Sequence, residues 1–202
     1  MTEKTREKMI GGAASLLSQR GLQGTSFSEV LELTDTPRGS IYHHFPGGKD
    51  ELVAEAIALL GSVVAQRIRE TEADRPEQVA EAFAQGWREF VQATDLKSVC
   101  VMSAVTVGAG ADSEGLLPAV AAAFASWRDA LADAYAQTGL GKADSRRLAL
   151  TSVAALEGAM IVSRAEQSME PFDAVQKDLI ALARAGNSQL KPGSRRSIRL
   201  RG

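Results

Sequence analysis

Apolar residues recur along this chain at intervals of three and four, the period of a helix that buries one face. Over 5–20 they are Met9, Ile10, Ala13, Leu16 and Leu17, and Gly21 supplies a stop. Ser26-Phe27-Ser28-Glu29 reads as a capping box opening a short helix to about Leu33, with Phe27, Val30 and Leu31 turned inward. Thr36-Pro37 predicts another start, Thr36 as cap and Pro37 at the first helical position, for a brief helix that stops near Phe45 before Pro46-Gly47-Gly48. A long helix is expected over 49–72 and another over 76–94, the second carrying Val79, Phe83, Trp87, Phe90 and Val91. Further helices are expected over 98–107, 113–138 (with a kink at Pro118), 144–167 and 171–185. No stretch alternates polar and apolar as a half-buried strand does. The expected fold is all-α, about nine helices: a small three-helix head over 1–48 and a larger helical body over 49–186.

The 202 residues suffice for a real core. One cysteine, Cys100, excludes an internal disulfide and suggests a reducing compartment. The N-terminal residues are too charged for a signal peptide, and no apolar run approaches the roughly 18 residues of a membrane span, so a cytoplasmic location without membrane contact is expected. Net charge is −2, but Lys191, Arg195, Arg196, Arg199 and Arg201 crowd the last stretch. The remainder carries 18 basic residues against 25 acidic ones, so only a few well-placed groups can meet a polyanion. The segment 187–202 is expected to be an unstructured tail that aids solubility rather than binding.

The chemistry concentrates between Thr25 and Leu52. Two short helices joined by a tight turn at Thr34-Asp35 form a helix-turn-helix, whose second helix enters the DNA major groove. Arg38 and Ser40 fall in its first turn, where an arginine pairs bidentately with guanine, and Gly39 allows close approach. Tyr42 and His44 can donate to phosphate, and Lys49 opens the next helix beside the same backbone. Ser26 and Thr36 cap the two helices at this surface.

The string Thr36-Pro37-Arg38-Gly39-Ser40-Ile41-Tyr42-His43-His44-Phe45, followed by Lys49 and Leu52, resembles the signature of the TetR family of regulators. Gly24-Thr25-Ser26-Phe27-Ser28-Glu29-Val30 is similar to that family's second helix, and the Pro-Arg-Gly-Ser and His-His-Phe-Pro-Gly-Gly-Lys wording is similar to its lincomycin-resistance-type, multidrug-sensing branch. The resemblance implies a homodimer joined through its last two long helices, a palindromic double-stranded DNA operator, and a cavity for a small hydrophobic effector whose binding releases the DNA. It implies phosphate contacts from Thr25, Tyr42, His44 and Lys49, and base proximity for Arg38, Ser40 and His43. Asp35 stands where the family usually has Gly, and Pro46-Gly47-Gly48 is about one residue longer than the common link.

For the cavity lining the candidates are Phe83, Trp87, Phe90, Met102, Phe124 and Trp127, with Tyr135 and Met160. Each is also an ordinary core residue by pattern. Glu157 can meet a cationic ligand or pair with Arg88, Arg128 or Arg164, and pairing is the usual fate of a buried carboxylate. Cys100 reads as a small buried hydrophobe. His43 and His44 are adjacent, so they point about 100° apart and make no metal pair. With no Glu-x-x-His pair, nucleophile elbow or phosphate loop, neither enzyme chemistry nor a cofactor is expected.

Overall fold

The computed structural model describes residues 3–188, except the side chains of Ser40, Ala111, Asp112, Glu114, Asn187 and Ser188. Those residues form nine α-helices and no strand. The head comprises α1 (Glu3–Arg20), α2 (Phe27–Thr34) and a 3-10 turn (Arg38–Ser40) running into α3 (Ile41–His44). The body comprises α4 (Lys49–Arg69), α5 (Pro76–Ala93), α6 (Val101–Gly108), α7 (Leu117–Gln137), α8 (Lys142–Glu166) and α9 (Glu170–Ser188). α4 packs on α1 at one end and on α7 along its length, α8 lies on α7, and α9 spans α5 and α8.

Local chemistry accounts for the head. Met9, Ile10, Ala13, Leu16 and Leu17 are buried along one stripe of α1, as the spacing predicts. The capping box is present: Ser26 N–H donates to Glu29 Oε2 (2.9 Å) and Glu29 N–H to Ser26 Oγ (3.3 Å). The Ser26 hydroxyl bond, then Arg20 Nη1 at 2.7 Å, hold the Glu29 carboxyl below the usual range. Asp35 closes α2 in the left-handed region at φ 48°, where Asp is tolerated more readily than most residues, so the turn forms without the family's Gly.

Gly12 carries no local signal of its role. A Cβ there would lie 2.4 Å from Thr34 Cγ2, so its absence lets α1 and α2 touch. Gly61 does the same between α4 and α7, where a Cβ would sit 3.0 Å from that of Ala123. The Gly61 carbonyl accepts the Trp127 indole N–H at 2.9 Å.

Several boundaries differ from expectation. Thr36 caps nothing, and Pro37 stands outside the helix at ψ 139°, so the third helix opens as a 3-10 turn at Arg38. Buried Thr36 instead has its hydroxyl 3.0 Å from that of Thr34, which donates to the Val30 carbonyl at 2.6 Å. α4 stops at Arg69, three residues early. Pro118 sits in the first turn of α7 and produces no kink, since its missing N–H would be unpaired there anyway. α9 continues to Ser188, past the expected end at Ala185; the tail from residue 189 lies outside the described residues.

Candidate nucleic-acid interface and internal cavity

The turn at Asp35 and the core contacts of Ile41 and Phe45, both buried, orient the short reading segment. Arg6 lies over the Phe45 ring at 5.4 Å and pairs with Glu55 at 2.7 Å, fastening α1 to α4 beneath it. Gly48, at φ 82°, makes the bend into α4 that a side chain would resist. Arg38, Gly39, Tyr42 and His43 are left exposed together, with Tyr42 72% accessible and propped edge-on against Phe27 at 5.9 Å. Exposed Ser26 lies in the same head, but its hydroxyl is engaged by Glu29. His44 is half-buried and its Nε2 has no partner among the described residues. The side chain of Ser40 lies outside the described residues.

Three expected contact residues are engaged within the head. Thr25 is buried, and its hydroxyl donates to the Gly21 carbonyl at 2.8 Å, tying the α1–α2 loop instead of presenting a donor to solvent. Thr36 is buried as described above. Lys49 Nζ donates to the Leu22 carbonyl at 2.7 Å, which holds the ammonium beside that same loop and leaves it two further protons.

Behind the head lies a cavity of about 650 Å³. Phe83, Trp87, Phe90, Met102 and Trp127 line it, as expected. Trp87 forms edge contacts to Phe83, Phe90 and Trp127 at 5.9 to 6.2 Å, building a continuous aromatic wall. Phe124, Met160 and Glu157 do not line it: Phe124 backs Trp127 at 5.4 Å, and Met160 is core. Tyr135 is also core, hydrogen-bonded to Ser152 at 3.0 Å, its phenol pushed up to about 12 by burial.

The sequence reading missed the walls supplied by α1 (Ala14, Ser15, Ser18, Gln19) and α4 (Leu60, Val64, Arg67, Ile68). The only available signal was that Ser15 and Ser18 flank the apolar stripe of α1 as small residues. Cys100 lines the cavity as well.

Among the described residues Glu157 meets no arginine. It accepts hydrogen bonds from the Ser103 hydroxyl and the Cys100 thiol, and its Oε1 has no partner among the described residues. Burial raises its pKa, against those two bonds. The Cys100 thiol is pushed well up by burial, then by the Glu157 charge. Arg88 pairs with Asp173 at 2.5 Å and lies over Phe172, since α5 packs chiefly on α9.

The head and the cavity share structure. The Ser18 carbonyl, on a wall helix, accepts Val99 N–H at 2.9 Å. Gln23 Nε2 donates to the Gly108 carbonyl at 3.1 Å, so the far end of α6 touches the α1–α2 loop while its near end lines the cavity.

Residues 10–56 match bacterial regulatory proteins of the tetR family, and residues 76–178 match the C-terminal domain of LmrA/YxaF-like transcriptional regulators. An uncharacterised HTH-type transcriptional regulator of Mycobacterium tuberculosis is 35% identical over 179 residues, covering 86% of this chain and 91% of its own. The HTH-type transcriptional regulator LmrA of Bacillus subtilis is 27% identical over 83% of this chain and 90% of its own. Among solved structures, the regulatory protein TetR of Rhodobacter sphaeroides shares the fold at a TM-score of 0.77 and 18% identity, covering 88% of this chain and 98% of that one. With the head, the helical body and both matched regions in agreement, the chain belongs to the TetR family of transcriptional regulators, with a C-terminal domain of the LmrA/YxaF type.

Proposed function

We propose that this regulator is a ligand-responsive repressor that binds a palindromic operator as a homodimer and is released when a small hydrophobic effector fills the cavity. The observation that carries this reading is the double duty of α1. Its buried stripe frames the DNA-reading head, while Ala14, Ser15, Ser18 and Gln19 on the same helix form a cavity wall. A ligand that moves this wall therefore moves the head. α4 joins the two parts in the same way, entering the head at Lys49 and lining the cavity farther along.

A dimer is supported by an apolar stripe exposed along α8 at helical spacing: Leu150, Ala154, Gly158, Ile161 and Ala165. Nothing stands within 4 Å of where a Gly158 Cβ would point, and Leu182 of α9 is exposed too. Two heads so paired would enter successive major grooves about 34–36 Å apart. An effector that favours a different separation shifts the population away from the DNA-competent form. Such a regulator works in the cytoplasm, where its operator lies.

The test is selection of bound fragments from random duplex DNA, followed by a screen for compounds that displace them. The reading expects a near-palindromic consensus and displacement by compounds whose binding quenches tryptophan fluorescence. A consensus that no compound displaces would instead mark a constitutive DNA-binding protein.

A further inference from the structure

We infer that the ligand this cavity takes is an aromatic organic acid, its carboxylate seated on Arg67 at the rim and its ring system against the Phe83, Trp87, Phe90 and Trp127 wall. The inference rests on the reading of the cavity as an effector site and names the class of effector.

The charge of the walls is one-sided. Among the described residues lining the cavity there is one ionisable cation, Arg67, and no Asp or Glu. A cationic guest would give up its water, find no carboxylate among the lining side chains, and face the Arg67 guanidinium at the mouth. The aromatic rings alone attract cations, but the Arg67 guanidinium at the mouth is the competing charge.

The lining also has donors to spare. The Ser18 hydroxyl donates to the Ser15 carbonyl, the Gln19 amide to Ser15 Oγ, the Thr94 hydroxyl to the Phe90 carbonyl and the Trp127 indole to the Gly61 carbonyl. By contrast, the Trp87 indole N–H and the Ser98 hydroxyl have no partner among the described residues, although both side chains are at least nine-tenths buried. The Arg67 guanidinium makes one hydrogen bond, from Nη2 to Glu89 Oε2 at 2.5 Å, and its Nε and Nη1 donors remain. Free donors ask for a guest rich in acceptors.

Arg67 is placed for that guest. It lies across Gly86, where a Cβ would sit 3.7 Å from Cζ and 3.8 Å from Nε, so the guanidinium rests on the backbone next to Trp87. Its side chain is 63% exposed, which marks the mouth of the cavity, and the planar fork matches a carboxylate. Glu89, which also accepts from Gln85, gives the guanidinium a carboxylate within the chain itself, and an incoming acid would compete with it. A volume of about 650 Å³ holds two or three rings with an acid group.

Both tryptophans of the chain line the cavity, so intrinsic fluorescence reports its occupancy directly. Titration of the full chain with biphenylacetic acid, biphenylacetamide and biphenylethylamine isolates the charge on one ring system. The acid is expected to bind at least about tenfold more tightly than the amide or the amine. Arg67→Gln should bring the acid down to the amide, and Glu89→Gln, which frees the guanidinium, should tighten the acid alone. Equal or tighter binding of the amide or amine, indifference of the acid to Arg67→Gln, or no quenching by the acid each overturns the inference. The titration contains no DNA, so the two readings fail separately. Acid binding without operator release removes the effector reading, whereas release by the amide or amine with no preference for the acid removes only the ligand class.

Discussion

Tyr42 stands 72% exposed on the reading segment, and Arg38 is exposed in its first turn. A tyrosine hydroxyl on a phosphate carries no sequence information, whereas a guanidinium on a guanine does. Tyr42→Phe should therefore cost roughly 0.5–1.5 kcal/mol on operator and single-base variants alike. Arg38→Ala should cost about 1–3 kcal/mol on the operator and flatten discrimination at one position per half-site. Titration of a variant operator panel separates these outcomes. Glu157 offers a second residue-scale prediction, through pH. Its folded-state pKa is raised by burial, so the protonated form is favoured in the fold. That contribution is fully present below the unfolded value near 4.5 and is lost as pH rises through the folded one. Thermal midpoints of wild type relative to Glu157→Gln should hold level below that value and fall toward neutrality. A flat difference would remove Glu157 as the source.

At the scale of elements, contacts between helices decide what local propensity leaves open. Gly12 sits in mid-helix, where Ala would ordinarily gain about 1 kcal/mol. Here the added methyl meets Thr34 Cγ2 at 2.4 Å, and Thr34 is held by its bonds to Val30 and Thr36. Gly12→Ala should thus destabilise the head by about 1–3 kcal/mol net, seen as a lower urea midpoint. An unchanged midpoint would mean that α1 and α2 part without cost. α6 shows why an eight-residue helix matters here: its start lines the cavity, Ser103 holds Glu157, and its Gly108 end meets Leu22 and Gln23.

For the whole molecule, the unanswered surface is the apolar stripe on α8. Ile161 is 49% exposed and Leu150 52%, beside a glycine with open space in front of it. A charge there should prevent pairing while leaving the protomer folded. Ile161→Asp is expected to sediment as a monomer and to lose operator affinity by about 100-fold or more, because the second half-site no longer binds from a tethered head. A monomer that retained full affinity would contradict the paired arrangement.

The amino-acid sequence by itself determined where most helices lie, the capping box at Ser26–Glu29, the turn at Thr34-Asp35 and the exposed Arg38, Gly39, Tyr42 and His43, because each depends on neighbours within a few residues. It also marked Phe83, Trp87, Phe90, Met102 and Trp127 as large groups on inward faces. It did not decide which inward faces enclose space. Periodicity says that a side chain points away from water but not which other helix it meets. That is why Met160 and Tyr135 turned out to be core and Phe124 to pack against it, and why Ser15, Ser18 and Arg67 turned out to be wall. The partners of Glu157, Thr25, Thr36 and Lys49 were settled in the same way, by the crossing of chain segments and not by the residues' own chemistry.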